Sequence, residues 1–317
     1  MKEMNSGKNL KTIGYQAFNH CETLEKVVIR SDKVVVGMAA FGTRYIRHDE
    51  SQRKMSPSKL TTIILPTKFS GELMADCFNS YMGTSFVWPD FSKGNLSEAF
   101  FRGAKNLNKI SLAKTGKEVY IGKDALFTKQ KIEKLTVPEK AKKVVFGLQS
   151  KLVDVLVIKG KNTALEISDS KSQIYNGSVA FSVKTVIAPR GSKVEKSLEN
   201  AFHPMLSDTN TVSISYPIAE DSETLNKVED INYIGVSLPS KPKVTLSGKK
   251  VKWTKTKKAE KYEIYYSAKK KGTYKLVETT KKTSYSLKKK GYVKVRAVRK
   301  TYDTDWRGDF SKVVKMK

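Results

Sequence analysis

Over roughly the first two thirds of the chain, apolar residues recur as a spaced phrase that fits neither one amphipathic helix nor one strand. Ile13-Gly14-x-x-Ala17-Phe18 is matched 23 residues later by Val36-Gly37-x-x-Ala40-Phe41, and again by Ile121-Gly122-x-x-Ala125-Leu126. A second pattern follows: a large apolar residue, another six positions on, then two more after three and five steps. Phe18, Leu24, Val27 and Ile29 fit it, as do Phe101, Leu107, Ile110 and Leu112. Leu126, Ile132, Leu135 and Val137 repeat it, and so do Phe146, Leu152, Val155 and Val157. Leu60, Ile63 and Leu65 give its second half, and Phe86 and Trp88 do so more loosely. Pro66, Pro89, Pro138 and Pro189 close phrases.

A period of about 20–25 residues marks a repeat architecture in which each unit buries its apolar face only against a neighbour. The alternating ends of the phrases predict short strands. Proline stops them because it has no N–H for the next rung. The glycine is expected to permit a tight turn, and the small residue before Phe18 or Phe41 to make room for the ring.

These phrases resemble BspA-like leucine-rich repeats, whose unit reads roughly I-G-x-x-A-F-x-x-C-x-x-L-x-x-I-x-I-P. Ile13, Gly14, Ala17, Phe18, Cys21, Leu24, Val27 and Ile29 fill it in order, with Arg30 in the proline place. The resemblance covers about residues 10–216 and weakens near 70–90 and 160–205. It implies a solenoid and, for function, adhesion at a bacterial surface. Between Phe41 and Leu60 the chain is 13 residues longer than the phrase predicts. The extra segment, residues 44–59, is polar and basic and reads as a projecting loop.

Past residue 216 the pattern changes. Residues 217–238 are acidic and weakly patterned, and read as a linker or terminal cap. From Pro239 onward, short alternating strands are expected at 243–247, 251–254, 262–267, 274–278, 284–287, 292–299 and 312–315. Trp253, Tyr262, Ile264 and Tyr266 face inward with Val293, Val295 and Ala297, and Lys252, Lys294 and Arg296 outward. The stretches VKWTK, AEKYEIYYSAKKKGTYKLV and YVKVRAVR resemble a fibronectin type III domain of the lysine-rich form on secreted Gram-positive proteins. One feature of that family is displaced: its usual tyrosine four residues before Val295 is Gly291 here, with Tyr292 beside it. The expected whole is mainly β: a leucine-rich repeat solenoid over 1–216, the 217–238 segment, and a seven-stranded β-sandwich over 239–317.

Charge sharpens this division. The chain of 317 residues has a formal net charge of +29. Residues 239–317 hold 23 Lys, 3 Arg and 6 acids, or +20, and the first 238 residues supply the other +9. The runs AKKKG (268–272) and LKKKG (287–291) make the sandwich a cationic surface, which attracts polyanions and releases them in salt. No apolar run is long enough to span a membrane, and the start lacks the apolar core of a secretory signal. The repeats begin close to Met1 without a polar cap, so the chain is expected to be a piece of a longer protein.

Candidate chemistry is sparse. His20, His48 and His203 lack metal-ligand spacing, and no CxxC pair occurs. His20 reads as an exposed turn residue. Cys21 and Cys77 fall two coils apart, about 10 Å at the strand spacing, beyond disulfide reach; both read as small buried side chains. Asp303 and Asp305 lie in a loop. No catalytic, cofactor or metal site is expected. Arg307-Gly308-Asp309 falls between the last two predicted strands, where the resemblance places the adhesive tripeptide of fibronectin-type domains. A glycine-centred turn would splay a cation and an anion for an integrin-type receptor, so these three residues are binding candidates. Bacterial relatives often carry a glycine, then an aromatic and serine, there, so Gly308, Phe310 and Ser311 need no adhesive explanation.

The expected function is non-enzymatic binding at a cell surface or in the extracellular medium. The contact candidates are the outward strand residues Lys26, Val28, Thr62, Ile64, Lys109, Lys134 and Thr136. Partners implied by the resemblance are host matrix or cell-surface proteins, or other bacteria. Anionic cell-wall polymers are a second class, through the lysine surface. Nucleic acid is disfavoured because no recognition helix is evident. The chain is expected to be monomeric, without membrane insertion. The rival is a non-catalytic module of a larger secreted enzyme.

Overall fold

The computed structural model describes residues 1–42, 58–79, 81–91, 101, 104, 106–112, 118–121, 132–146, 153–167, 183–202, 205–206, 211–217, 228–287 and 289–316. The 44–57 part of the long insertion, the Gly122–Leu126 phrase, Leu152, His48, His203 and Lys288 lie outside the described residues. The chain divides into two units, Met1–Gly235 and Val236–Lys317.

In the first unit the strand at each phrase end pairs in parallel with its counterpart one repeat later. Glu3–Asn5, Lys26–Val28 and Thr62–Ile64 form one ladder. Ser85–Trp88, Lys109–Leu112, Ile132–Val137, Val153–Ile158 and Val183–Pro189 form a second. The Ile-Gly side of the phrase builds further ladders: Thr12–Ile13 with Val35–Val36 and Glu72–Leu73, and Glu118–Ile121 with Lys143–Phe146 and Ala164–Ile167. Parallel strands cannot be joined by a tight hairpin.

The register fixes the interior. Phe86, Ile110, Leu135, Leu156 and Val186 are successive partners and all are buried. Burying one such side chain is worth about 1.5–3 kcal/mol. A coil realises that gain only with a neighbour on it. On the other side of the phrase the rings stack: Phe18 on Phe41 at 5.0 Å, Phe41 on Phe78 at 5.6 Å, and Phe78 against Phe101 at 6.0 Å.

The turn before each ring is the same in three coils. Ala17, Ala40 and Cys77 donate their N–H to the carbonyls of Gly14, Gly37 and Met74. The residue before each donor is left-handed: Gln16 (φ 53°), Ala39 (51°) and Asp76 (56°). The phrase glycine serves a different purpose from the one expected. A Cβ on Gly37 would lie 2.7 Å from Gly14 C and 2.8 Å from Tyr15 N, so glycine is required because the preceding coil's backbone occupies that space.

Four expectations need correction. A further unit runs through Leu73 and Phe78, with Cys77 in the small-residue slot. Phe146 is no ring-ladder residue; it pairs with Ile121 in the Ile-Gly strand. In the following strand the inward residues are Val153, Leu156 and Ile158, one place off the expected Leu152, Val155 and Val157. Val157 is itself fully buried on the other face, so the alternation that sets a register was absent. Cys21 is exposed; only Cys77 is buried.

The described helix, Lys193–Phe202, was not foreseen. Ser192 Oγ accepts from Glu195 N, and the Glu195 carboxylate accepts from Gly191 N. Ser192 thus caps the helix, while Glu195 holds the residue before the cap rather than the cap's own N–H, and Val194 and Leu198 lie in the core. Beyond it the large sheet continues through Thr211–Pro217 and Val228–Val236, which pair antiparallel; Val228–Val236 lies next to Val183–Pro189. Residues 228–236 are therefore strand rather than linker. Buried Tyr233 donates its hydroxyl to Pro189 O.

The second unit has two sheets. Val244–Ser247, Lys250–Trp253 and Ser284–Ser286 form one. The other contains Lys275–Thr280, Lys261–Ser267, Gly291–Thr301 and Thr304–Arg307, with Val314–Met316 also on Gly291–Thr301. Val251, Trp253, Tyr262, Ile264, Val293, Val295 and Ala297 share the core. Thr304–Arg307 was not predicted: left-handed Tyr302 and Asp303 make a two-residue hairpin turn into it. Arg296, expected outward in solvent, is buried under Phe310 and Tyr265.

Candidate functional site

Parallel pairing in constant register lines up the outward side chains as well as the inward ones. Glu3, Lys26 and Thr62 form one row, and Asn5, Val28 and Ile64 another. Further along, Ser85, Lys109 and Lys134 are partners, and so are Val87, Ser111 and Thr136. The seven repeat residues singled out from the sequence all fall on outward positions of these ladders. They form two groups: Lys26, Val28, Thr62 and Ile64 in one sheet, and Lys109, Lys134 and Thr136 in the next.

The character of this face varies along it. Lys26 Nζ reaches Glu3 at 3.1 Å, so its charge is partly answered within the row. Ile64 is 46% exposed and Val87 60% exposed, two large aliphatic side chains left to water. Sequence reasoning missed Val87, because the Phe86–Trp88 phrase was only loosely matched. Farther on, the outward positions Val157 and Ile187 are buried.

Between these lies a depression of about 360 Å³, lined by Ser85, Asn108, Lys109, Ser111, Lys134 and Thr136, with Glu133 and Ile110. Asn108 Oδ1 is shielded from solvent there and accepts no hydrogen bond among the described residues. The signal for Asn108 was faint: it stands one residue before the strand, where the phrase carries no fixed type. A buried acceptor lacking a donor costs about 1–3 kcal/mol, so a donor brought by a bound partner would be stabilising. The depression is lined by two ammonium groups, the Glu133 carboxylate, hydroxyls and one amide acceptor, a set suited to polar contact.

The ladder of Glu118–Ile121, Lys143–Phe146 and Ala164–Ile167 is ordered by charge instead. Lys143 Nζ lies 3.8 Å from Glu118, its partner in register, and 2.5 Å from Glu166, two places beyond its other partner Ala164. The bond to Glu166 raises its pKa. These are exposed cross-strand pairs of modest worth.

Arg307, Gly308 and Asp309 do not form a splayed loop. Arg307 ends a strand, and its Nε donates to Glu263 Oε1 at 2.9 Å. Gly308 N donates to Ala297 O, and a Cβ on Gly308 would lie 2.2 Å from Pro239 O. Asp309 alone is exposed. Glu263 is shared: Oε2 accepts from Arg296 Nε at 2.8 Å. Burial pushes the Glu263 carboxyl up, but the Arg296 and Arg307 guanidiniums outweigh it and hold it below the usual carboxylate range.

Among the described residues no cluster of three or more His, Cys, Asp or Glu could hold a metal ion. Burial, and then the charge of Asp76, push the Cys77 thiol well up, away from the reactive thiolate. His20 is exposed in a left-handed turn conformation. Asp305 is paired with Lys261 at 2.7 Å. No described helix is long and apolar enough to cross a membrane.

The family model of the BspA type leucine rich repeat region matches residues 1–49 and 51–147, in six copies. No curated protein matches the chain, and no solved structure does.

Proposed function

We propose that the repeat unit is a solenoid that acts by contact, as the protein-binding part of a non-enzymatic adhesion protein on a bacterial surface or secreted from it. The BspA-type repeats over residues 1–147 suit a repeat protein for protein binding. The observation that carries the reading is the outward face. Its aligned rows combine exposed Ile64 and Val87 with the Lys109–Lys134 depression, a mixture of apolar and polar groups on a rigid scaffold. A partner gripping such a face would bury aliphatic side chains and supply donors and carboxylates.

The second unit is read as a fibronectin type III spacer. What supports this is its pairing of a three-stranded with a five-stranded sheet around Trp253, Tyr262 and Val295. The adhesive tripeptide is left out of the reading, because Arg307 is held by Glu263.

The experiment is binding of the full chain to purified extracellular-matrix proteins and to whole cells, compared with Ile64→Glu/Val87→Glu and Lys109→Glu/Lys134→Glu. At least one partner is expected to bind, and each double variant to weaken it about tenfold or more. Binding indifferent to both variants removes the outward face from the account.

A further inference from the structure

The two lysine runs of the second unit are far apart in sequence from a third basic turn, yet strand register puts all three at one end of the sandwich. Ser267 and Tyr292 are Cα partners, so the turn after Ser267 and the turn before Tyr292 are neighbours. Ser247 pairs with Lys250, and Leu287 N donates to Lys249 O, which brings the Ser247–Lys250 turn to the same end. That end therefore carries Lys249 and Lys250 from the first turn, Lys269–Lys271 from the second, and Lys289 and Lys290 from the third. All seven are exposed, and none has a salt-bridge partner among the described residues.

The unit's six acids are elsewhere. Glu263 and Glu278 lie at or below the level of Ile264 and Val295. Asp303 and Asp305 are at the opposite end, with Lys261 and Lys300. Glu260 N is bonded to Val298 O, and Asp309 sits between the Ala297 and Val295 levels. The charge is thus segregated, not merely abundant. Scattered solubility lysines would not leave one end free of acids while the other is mixed.

The turns are also held. Tyr266 Oη donates to Lys290 O at 2.8 Å, and Tyr274 Oη donates to Lys270 O at 3.0 Å. Gly291, at φ 154°, is required there: a Cβ would lie 2.5 Å from the Tyr266 ring and 2.8 Å from Ser267 O. The backbones are fixed and the ammonium groups remain free to reach outward.

We propose that this lysine end is a docking site for a linear phosphate polymer, separate from the outward face of the repeats. Lysine supplies point charges on flexible stems and lacks the planar fork by which arginine reads a fixed edge. Three short turns make contacts to successive phosphates of a mobile chain, without base readout. Binding is driven by counterion release.

The test uses the full chain with long-chain inorganic polyphosphate. Its comparison ligands are a single-stranded oligonucleotide of matched length and phosphatidylserine-containing vesicles. Lys269→Gln/Lys271→Gln/Lys289→Gln/Lys290→Gln is set against an equal charge removal at the opposite end, Lys257→Gln/Lys258→Gln/Lys281→Gln/Lys282→Gln. The first variant is expected to lose at least about tenfold in affinity and the second less than about threefold. With about five phosphate contacts, raising salt from 50 to 200 mM should weaken binding roughly 100-fold. Equal loss in both variants overturns the site. Tighter binding to the oligonucleotide or the vesicles overturns the assigned partner, and no binding to polyphosphate at low salt overturns both.

Discussion

Phe18 and Phe41, 23 positions apart in the chain, stack at 5.0 Å with their ring planes inclined by only 5°. Phe41 is sandwiched, with Phe78 on its other face, and is 3% exposed; Phe18 has one ring neighbour among the described residues and is half-buried. Phe41→Ala should therefore cost about 3–5 kcal/mol, and Phe18→Ala less than half of that. Chemical denaturation of the first unit's transition in the full chain measures both. Equal costs would mean that the stack does not set the energetics.

Gln16 occupies the left-handed turn position that Ala39 and Asp76 share. Left-handed backbone is strained by about 1 kcal/mol for a residue with a Cβ. Gln16 is partly exposed, so Gln16→Gly sacrifices little packing and should raise stability by about 0.5–1 kcal/mol. A rise in melting temperature is the readout; a fall would show that the Gln16 side chain has a role of its own.

Glu263 lies between Arg296 and Arg307 with its side chain 5% exposed. Because its folded pKa is lowered, its stabilisation is fully present above the unfolded carboxylate value, near 4.3. It is lost as pH falls from there through the folded pKa. Glu263→Gln should destabilise the second unit by about 3–5 kcal/mol at neutral pH, and the gap to wild type should shrink below pH 4. Melting followed by the buried Trp306 and Trp253 across pH 3–7 tests this. A gap independent of pH would assign the loss to shape rather than charge.

Gly308 and Asp309 separate structure from adhesion. Gly308→Ala forces a Cβ onto the Pro239 carbonyl and should destabilise the second unit by about 2 kcal/mol or more. Asp309→Ala, at an exposed site, should leave both stability and attachment to integrin-bearing cells unchanged. Loss of attachment in Asp309→Ala would restore the tripeptide as a contact.

How much of this was legible depends on the local chemistry of each phrase. Ile13, Phe18, Val27 and Ile29 are separated by polar residues, so their spacing alone placed them inside. The Leu73–Phe78 unit escaped notice because Cys77 replaces alanine and Met74 replaces glycine. Val155–Ile158 is an unbroken apolar run, and a one-residue slip there costs little at the level of pattern. Ser192-x-x-Glu195, with Val194 inside it and Leu198 after it, carries a helix start, but it falls in the 160–205 stretch where the repeat pattern is weak. The outward candidates came from period two once the strands were placed, whereas Asn108 and the depression need the packing of two coils. The lysine runs were plain in sequence; their convergence rests on the Ser267–Tyr292 and Ser247–Lys250 pairings, which no local pattern specifies.

The account rests on successive repeats lying side by side in constant register, so that their outward residues share one face. Ser111 and Thr136 are Cα partners on that face, and adjacent strands stand about 4.8 Å apart, within disulfide reach. The direct measurement is oxidative trapping in a Cys21→Ser background of Ser111→Cys/Thr136→Cys, compared with Ile110→Cys/Thr136→Cys, in which Ile110 points inward. The first pair is expected to cross-link nearly completely with the fold retained, and the second not at all. Failure of the first pair, or equal trapping of both, would contradict the shared face.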